Sequence, residues 1–244
     1  MIPGVRDIYS LGRRPASMRL TIFGIILLAT MLPLILPAFG AVNAGFWSNQ
    51  GNAFFSNRSY EKAVASYDKA LELNSGNTTL LNNKGLALAN LGRYEDAIGC
   101  FDQALEENST NIEAMNYKGA TLAQGLQKYE EAIDNLDKAL ALDPEYYDAW
   151  ISKGMALANA GRLSESLVCF QEAIKINPQN PIGWNNKGVV LREQGIYQEA
   201  INSFNTAIDL DPSYEVAKKN KELAQEDLGK GSESDMSMPA DAVL

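Results

Sequence analysis

The 244-residue sequence contains no histidine. That removes the commonest general base, the Ser-His-Asp and Cys-His nucleophile arrangements, and every metal site that needs imidazole. Only two cysteines are present, Cys100 and Cys169, and without a Cys-x-x-Cys pair they form neither a zinc nor a redox motif. Basic residues are outnumbered, 21 against 30 acidic, and the net charge of −9 disfavours nucleic acid or an anionic membrane surface as a partner. No paired acidic constellation stands out from the solvated faces of helices. An enzyme is therefore not expected, nor a cofactor, a metal or a small-molecule substrate. What the chain does have is apolar content, 46 %, enough for a sizeable core in one domain plus tails.

It also has a period. The block Trp184-Asn185-Asn186-Lys187-Gly188 recurs upstream as Leu81–Gly85, Met115–Gly119 and Trp150–Gly154, with a looser copy at Trp47–Gly51. The glycines Gly51, Gly85, Gly119, Gly154 and Gly188 are 34, 34, 35 and 34 residues apart, a spacing that marks stacked structural repeats. Five helix–turn–helix units follow, over 44–77, 78–111, 112–146, 147–180 and 181–214, each with two helices of about 13 residues. Gly92, Gly161 and Gly195 sit in the turns, where a glycine at a helix C-terminus adopts positive φ without penalty. The third unit carries one extra residue, expected in its turn at Gly125-Leu126-Gln127-Lys128. Pro144, Pro178 and Pro212 stop the later second helices.

The repeated positions have a packing logic. Each seam glycine faces a small residue, Ala63, Ala97, Ala132, Ser166 or Ala200, so two helices approach closely. Tyr67, Phe101, Leu136, Phe170 and Phe204 fill the space around them. No unit can bury its apolar face alone, and stacking makes the core continuous. Trp184, Gly188, Tyr197, Ala200, Phe204, Ala207 and Pro212 meet the pattern of the tetratricopeptide repeat family, which the chain resembles over about 170 residues. Ser75 and Ser109 depart from it where the family has proline, as do Ser166 for alanine and Leu136 for the aromatic. The resemblance implies an all-α, right-handed superhelical α-solenoid of five helix–turn–helix repeats. It also implies a concave face lined by the first helices and a protein or peptide partner held there. Glu215–Leu228 reads as a polar capping helix with Val216, Ala217, Leu223, Ala224 and Leu228 as its apolar stripe, and 229–244 as a disordered tail.

Residues 1–44 read as an export signal, with translation starting at Met1 or Met18. Arg13, Arg14 and Arg19 precede an apolar run, and Val42-Asn43-Ala44 fits a cleavage site. The rival reading is an uncleaved anchor, because Leu20–Val42 is 23 residues and long enough to span a bilayer. Either way the repeats are expected outside the cytoplasm, in a secreted, envelope or membrane-anchored protein. Asn57, Asn77 and Asn108 match the glycosylation acceptor pattern.

A helical wheel turns one side of each first helix towards the groove. Along it stand Asn49, Asn52, Asn82, Asn83, Asn116, Asn185 and Asn186. Asparagine is a poor interior helix former, so propensity does not account for this column. Its amides suit pairing with an extended peptide backbone, and they equally suit tying neighbouring helices together. In the last two units Ile151, Met155, Ile182 and Val189 replace polar residues, and Ile151 is the candidate apolar anchor site. The wheel puts Lys84, Lys118, Lys153 and Lys187 away from the groove, with stems on apolar surface and amines in solvent. The cationic clamp by which some members of the family hold an acidic C-terminus is missing, its places taken by Ser48, Glu113 and Tyr117. Cys100 and Cys169 lie two repeats apart, too far for a disulfide.

Overall fold

The computed structural model describes residues 43–236. Among them are eleven helices and no strand. Five pairs run in order: α1 (Ala44–Ser56) with α2 (Tyr60–Leu73), α3 (Thr78–Asn90) with α4 (Tyr94–Glu107), α5 (Ile112–Leu126) with α6 (Tyr129–Leu142), α7 (Tyr147–Asn159) with α8 (Leu163–Ile176), and α9 (Pro181–Glu193) with α10 (Tyr197–Leu210). A final helix, α11, spans Glu215–Met236. The chain is an α-solenoid of five helix pairs with a closing helix.

Local chemistry sets the boundaries. Asn77, Asn111 and Asn180 cap α3, α5 and α9, their side-chain oxygens accepting from the backbone of Leu80, Ala114 and Ile182. The second helices start directly from a tight turn whose pivot residue has positive φ: Arg58, Gly92, Gln127, Gly161 and Gly195. Three pivots are the expected glycines. In the third pair the extra residue is not in the turn, because α5 itself runs to Leu126 and Gln127 takes the left-handed conformation. Gly125 lies within the helix, and the Tyr94 ring occupies the place its side chain would take. The first two second helices end at the register of the others although serine replaces proline there. Asn74 and Asn108 already leave helical geometry at that point, and Asn108 Oδ1 accepts from Thr110 N at 3.1 Å.

The seam inside each pair is the core. Tyr67, Phe101, Leu136, Phe170 and Phe204 are at most 1 % exposed. A side-chain carbon added to the facing glycine would come within 2.5–2.7 Å of those rings and of Leu136, so the close approach requires glycine. Ser166 is accommodated among the alanines because its hydroxyl donates to the Gly154 carbonyl at 2.7 Å. Neighbouring first helices touch one another, whereas successive second helices do not. The first helices therefore crowd the inner, concave side.

The lysines at the seam do not end in solvent as expected. Lys84, Lys118 and Lys153 reach back to the preceding repeat and pair with Asp68 (2.7 Å), Asp102 (2.6 Å) and Asp137 (2.5 Å). The ladder stops at Lys187, where Gln171 stands in the aspartate register and the amine lies 5.6 Å from the Trp184 ring centre instead.

Helix α11 takes the place a sixth first helix would have. Ala217 and Ala224 are fully buried, Asn220 donates to Asn185 Oδ1 at 2.9 Å, and Arg192 pairs with Asp227 at 2.7 Å. The ends of its expected apolar stripe are not covered: Val216 is 55 % and Leu228 39 % exposed. The helix also runs eight residues beyond the expected stop at Leu228. Gly229 does not end it, since no proline follows at once and Lys230 pairs with Glu226 across one turn. The expected leader or anchor, Leu20–Val42 included, and the end of the tail lie outside the described residues. Among those described, no helix is long and apolar enough to cross a membrane.

Candidate functional site

The concave stripe is built from first-helix positions six, three and two residues before each seam glycine and one after it. The position three before carries Asn82, Asn116, Ile151 and Asn185, and all four are closed off, at 2 %, 5 %, 9 % and 4 % exposure. Neighbouring first helices approach too closely here to leave these side chains open. Asn185 is satisfied by Asn220. The Asn116 side chain pairs with the Tyr146 hydroxyl, while its Oδ1 has no protein partner. Neither amide atom of Asn82 has one. Ile151 packs with Phe170 and Val190, in the core rather than on the groove surface.

The neighbouring register is open. Asn49 and Asn52 are exposed, and Asn83 and Asn186 half-buried. Asn52 Oδ1 accepts from the Tyr67 hydroxyl at 2.8 Å and from the Asn83 amide at 3.3 Å, joining the first two repeats. Burial pushes the Tyr67 phenol up to about 12, so it remains a donor at neutral pH. These residues line a cleft of about 320 Å³ with Phe55, Ser56 and Leu86. A second cleft of about 260 Å³ follows along the same side, walled by Tyr94, Tyr117, Thr121 and Gln124. The polar end of the groove thus offers amide donors and acceptors in shallow, open hollows.

Six residues before the glycine, the exposed row reads Thr79, Glu113, Asp148 and Ile182, and Val216 continues it in α11, where Glu222 stands in the glycine register. Glu113 and Asp148 have no ion-pair partner among the described residues. They act on two phenols: burial first, then these carboxylates, hold Tyr117 and Tyr146 above the usual tyrosine range. Ile182 is 42 % exposed. Sequence reasoning passed over Asp148 and Tyr146, and placed Val216 in the packed stripe of the closing helix. The signal was available for Val216, which lies 34 residues after Ile182 and continues the repeat register into the closing helix.

The remaining candidates have ordinary places. Asn57 is exposed in the first turn, Asn77 caps α3, and Asn108 Oδ1 also accepts from the Thr110 hydroxyl. Cys100 and Cys169 are buried free thiols, and burial pushes Cys169 up to about 11, which keeps it protonated and unreactive. Among the described residues no cluster of acidic and cysteine side chains could hold a metal ion.

Family models for the tetratricopeptide repeat match residues 43–112, 117–181 and 181–214, more than half of the chain. The chain belongs to the tetratricopeptide repeat family. Arrays of this family bind protein or peptide partners and are typically non-catalytic. Among solved structures, the chain is similar to YrrB, a tetratricopeptide repeat protein with an unusual peptide-binding site. The identity is 29 % and the TM-score 0.53, over 74 % of this chain and 92 % of YrrB. A thermophilic repeat protein of Thermus thermophilus shares the fold at 14 % identity and a TM-score of 0.67, over 75 % and 98 % of the two chains. MamA of Desulfovibrio magneticus does so at 23 % and 0.58, over 70 % and 96 %. An uncharacterized protein of Methanocaldococcus jannaschii is 44 % identical over 41 residues, 17 % of this chain. The chain spans about half the length, 48 %, of that curated relative.

Proposed function

We propose that the protein is a non-catalytic scaffold outside the cytoplasm that holds a segment of a partner protein in its concave groove. One observation carries this. The exposed or half-buried concave side chains change chemistry from repeat to repeat, as Thr79, Glu113, Asp148 and Ile182 in one register and Asn49, Asn83, Tyr117, Ser152 and Asn186 in the next, while the seam beside them keeps its glycine in every repeat. Side chains that packing does not fix, lining open clefts, are available for recognition. The likeness to YrrB, whose structure has a peptide-binding site, supports the same use of the fold.

A photoreactive amino acid placed at Asn83, on the groove, and at Lys138, on an outer helix, tests the reading. Crosslinking to a common partner from Asn83 and not from Lys138, in the envelope or secreted fraction, is the expected result. Equal yields from both positions would remove the groove. A second reading, a membrane-tethered assembly factor, is favoured by the 23-residue apolar run Leu20–Val42 ending just before α1. Sequencing the N-terminus of the native protein separates the two: a start at Gly45 excludes a tether through this run.

A further inference from the structure

The chemistry of the row Thr79, Glu113, Asp148, Ile182, Val216 restricts what can lie along it. We propose that repeats three to five and the closing helix take an extended peptide segment bearing a lysine or arginine and, about three to six residues along, a bulky aliphatic side chain. This rests on the reading that the concave face holds a partner segment, and it names that segment's class.

Two observations converge on the cationic end. Glu113 and Asp148 are exposed on adjacent first helices and unpaired, although most lysines and arginines nearby are committed elsewhere: Lys118 to Asp102, Lys153 to Asp137 and Arg192 to Asp227. The concave stripe of the first four repeats carries no lysine or arginine, so nothing on this surface neutralises the two carboxylates. The two carboxylates and the half-buried rings of Tyr117 and Tyr146 are together a receptor for an N–H cation with an apolar stem. An acidic segment would meet like charge here.

The aliphatic end is the pair Ile182 and Val216, in one register on adjacent helices and 42 % and 55 % exposed. Neither belongs to a packing cluster of the core. Adjacent packed helices lie about 10 Å apart, and an extended chain advances about 3.3 Å per residue, so one repeat corresponds to about three residues. From Asp148 to Ile182 is one repeat and to Val216 two, which sets the separation of cation and aliphatic group.

The test is selection of a displayed library of random dodecapeptides on the immobilised full chain, then fluorescence anisotropy with a synthetic peptide of the enriched sequence. Enrichment of a basic residue with Leu, Ile, Val or Met three to six positions away is the expected result. Glu113→Gln with Asp148→Asn should weaken that peptide at least tenfold and flatten its salt dependence. Ile182→Ser with Val216→Ser should weaken it without changing the salt dependence, and Glu106→Gln with Asp134→Asn, on outer helices, should leave it unchanged. All six positions are exposed, and unaltered helical circular dichroism verifies folding. Acidic or uncharged peptides that are lost on Asn49→Ala with Asn52→Ala would overturn this inference while the concave groove stands. Failure to enrich any peptide, or binding indifferent to every concave substitution, would overturn both.

Discussion

On every first helix two stripes run side by side. The seam stripe carries glycine opposite an aromatic ring or leucine in all five repeats, and three of its lysines end on the aspartate of the preceding repeat. The concave stripe, about a third of a turn away, varies: Thr79, Glu113, Asp148, Ile182 and Val216 in one register, and Asn83, Tyr117, Ser152 and Asn186 in the next. Position in the stack is the same for both, so the difference comes from what fixes each side chain. A seam residue is specified by its neighbours at van der Waals distance, and the same neighbours recur every repeat. A concave residue facing solvent has few such neighbours, the hydrogen bonds of Asn52 to Tyr67 and Asn83 being the exception, so repetition there is not required and variation is free to encode a partner.

The sharpest way to break this contrast is to cut each stripe once. Phe101→Ala empties a fully buried site and should lower stability by about 3–5 kcal/mol, whereas Asn83→Ala on the same pair of repeats should stay within about 0.5 kcal/mol. Urea unfolding followed by circular dichroism reads both. Comparable losses would mean the concave stripe is as structural as the seam.

Alkali should attack the seam as well. Tyr67 is held up to about 12 from an ordinary value of 10, and Cys169 up to about 11 from 9, each by burial. Because the folded values are raised, their contribution is fully present below about pH 9 and is lost as pH climbs through 11 and 12. Stability measured against pH should be flat through neutrality and fall above pH 9. Tyr67→Phe should reduce the fall between pH 10 and 12; an unchanged profile would show that the phenol is not the titrating group.

The contrast is less clean at one register, and this is where sequence reading and structure part. The seam was legible because its partners recur within one period, so five copies vouch for each contact. The polarity of the concave stripe was legible from the wheel, but its depth was not. Asn82 and Asn83 are adjacent in sequence, yet one is 2 % exposed and the other half-buried, because the next first helix closes over Asn82. The same closure takes Ile151 out of the groove and leaves Ile182 as the exposed aliphatic group. A wheel records direction and carries no information about how closely the next helix approaches. The end of α11 was missed for a related reason, since tail composition shows polarity but not whether a packed helix simply continues into it.

Asn82 and Asn185 share this buried register and differ in one respect that can be measured. Neither amide atom of Asn82 has a protein partner, whereas Asn185 accepts from Asn220. An apolar side chain of similar size should relieve the first site and orphan a donor at the second. Asn82→Leu is therefore expected to stabilise by about 1 kcal/mol, and Asn185→Leu to destabilise by about 1–3 kcal/mol. Destabilisation of the same size at both would mean that Asn82 has a hydrogen-bond partner in solution.

The smallest effect concerns the missing rung of the lysine ladder. Lys84, Lys118 and Lys153 each meet an aspartate one repeat back, and for Lys187 that register holds Gln171. The lysine side chains on the intact rungs are 21–26 % exposed and the aspartates about half exposed, so water screens each pair and its worth is modest. Gln171→Asp should extend the ladder and stabilise by a few tenths to about 1 kcal/mol at low salt, fading as the Debye length shrinks to about 3 Å at molar salt. The new carboxylate would compete with the Trp184 ring for the lysine, so a gain also weighs the cation–π contact, 5.6 Å from amine to ring centre, against an ion pair. Stability at 10 mM and at 1 M salt, compared between Gln171→Asp alone and with Lys187→Met, isolates the coupling. If the aspartate gains nothing at low salt, the ladder is a consequence of the stacking and not one of its causes.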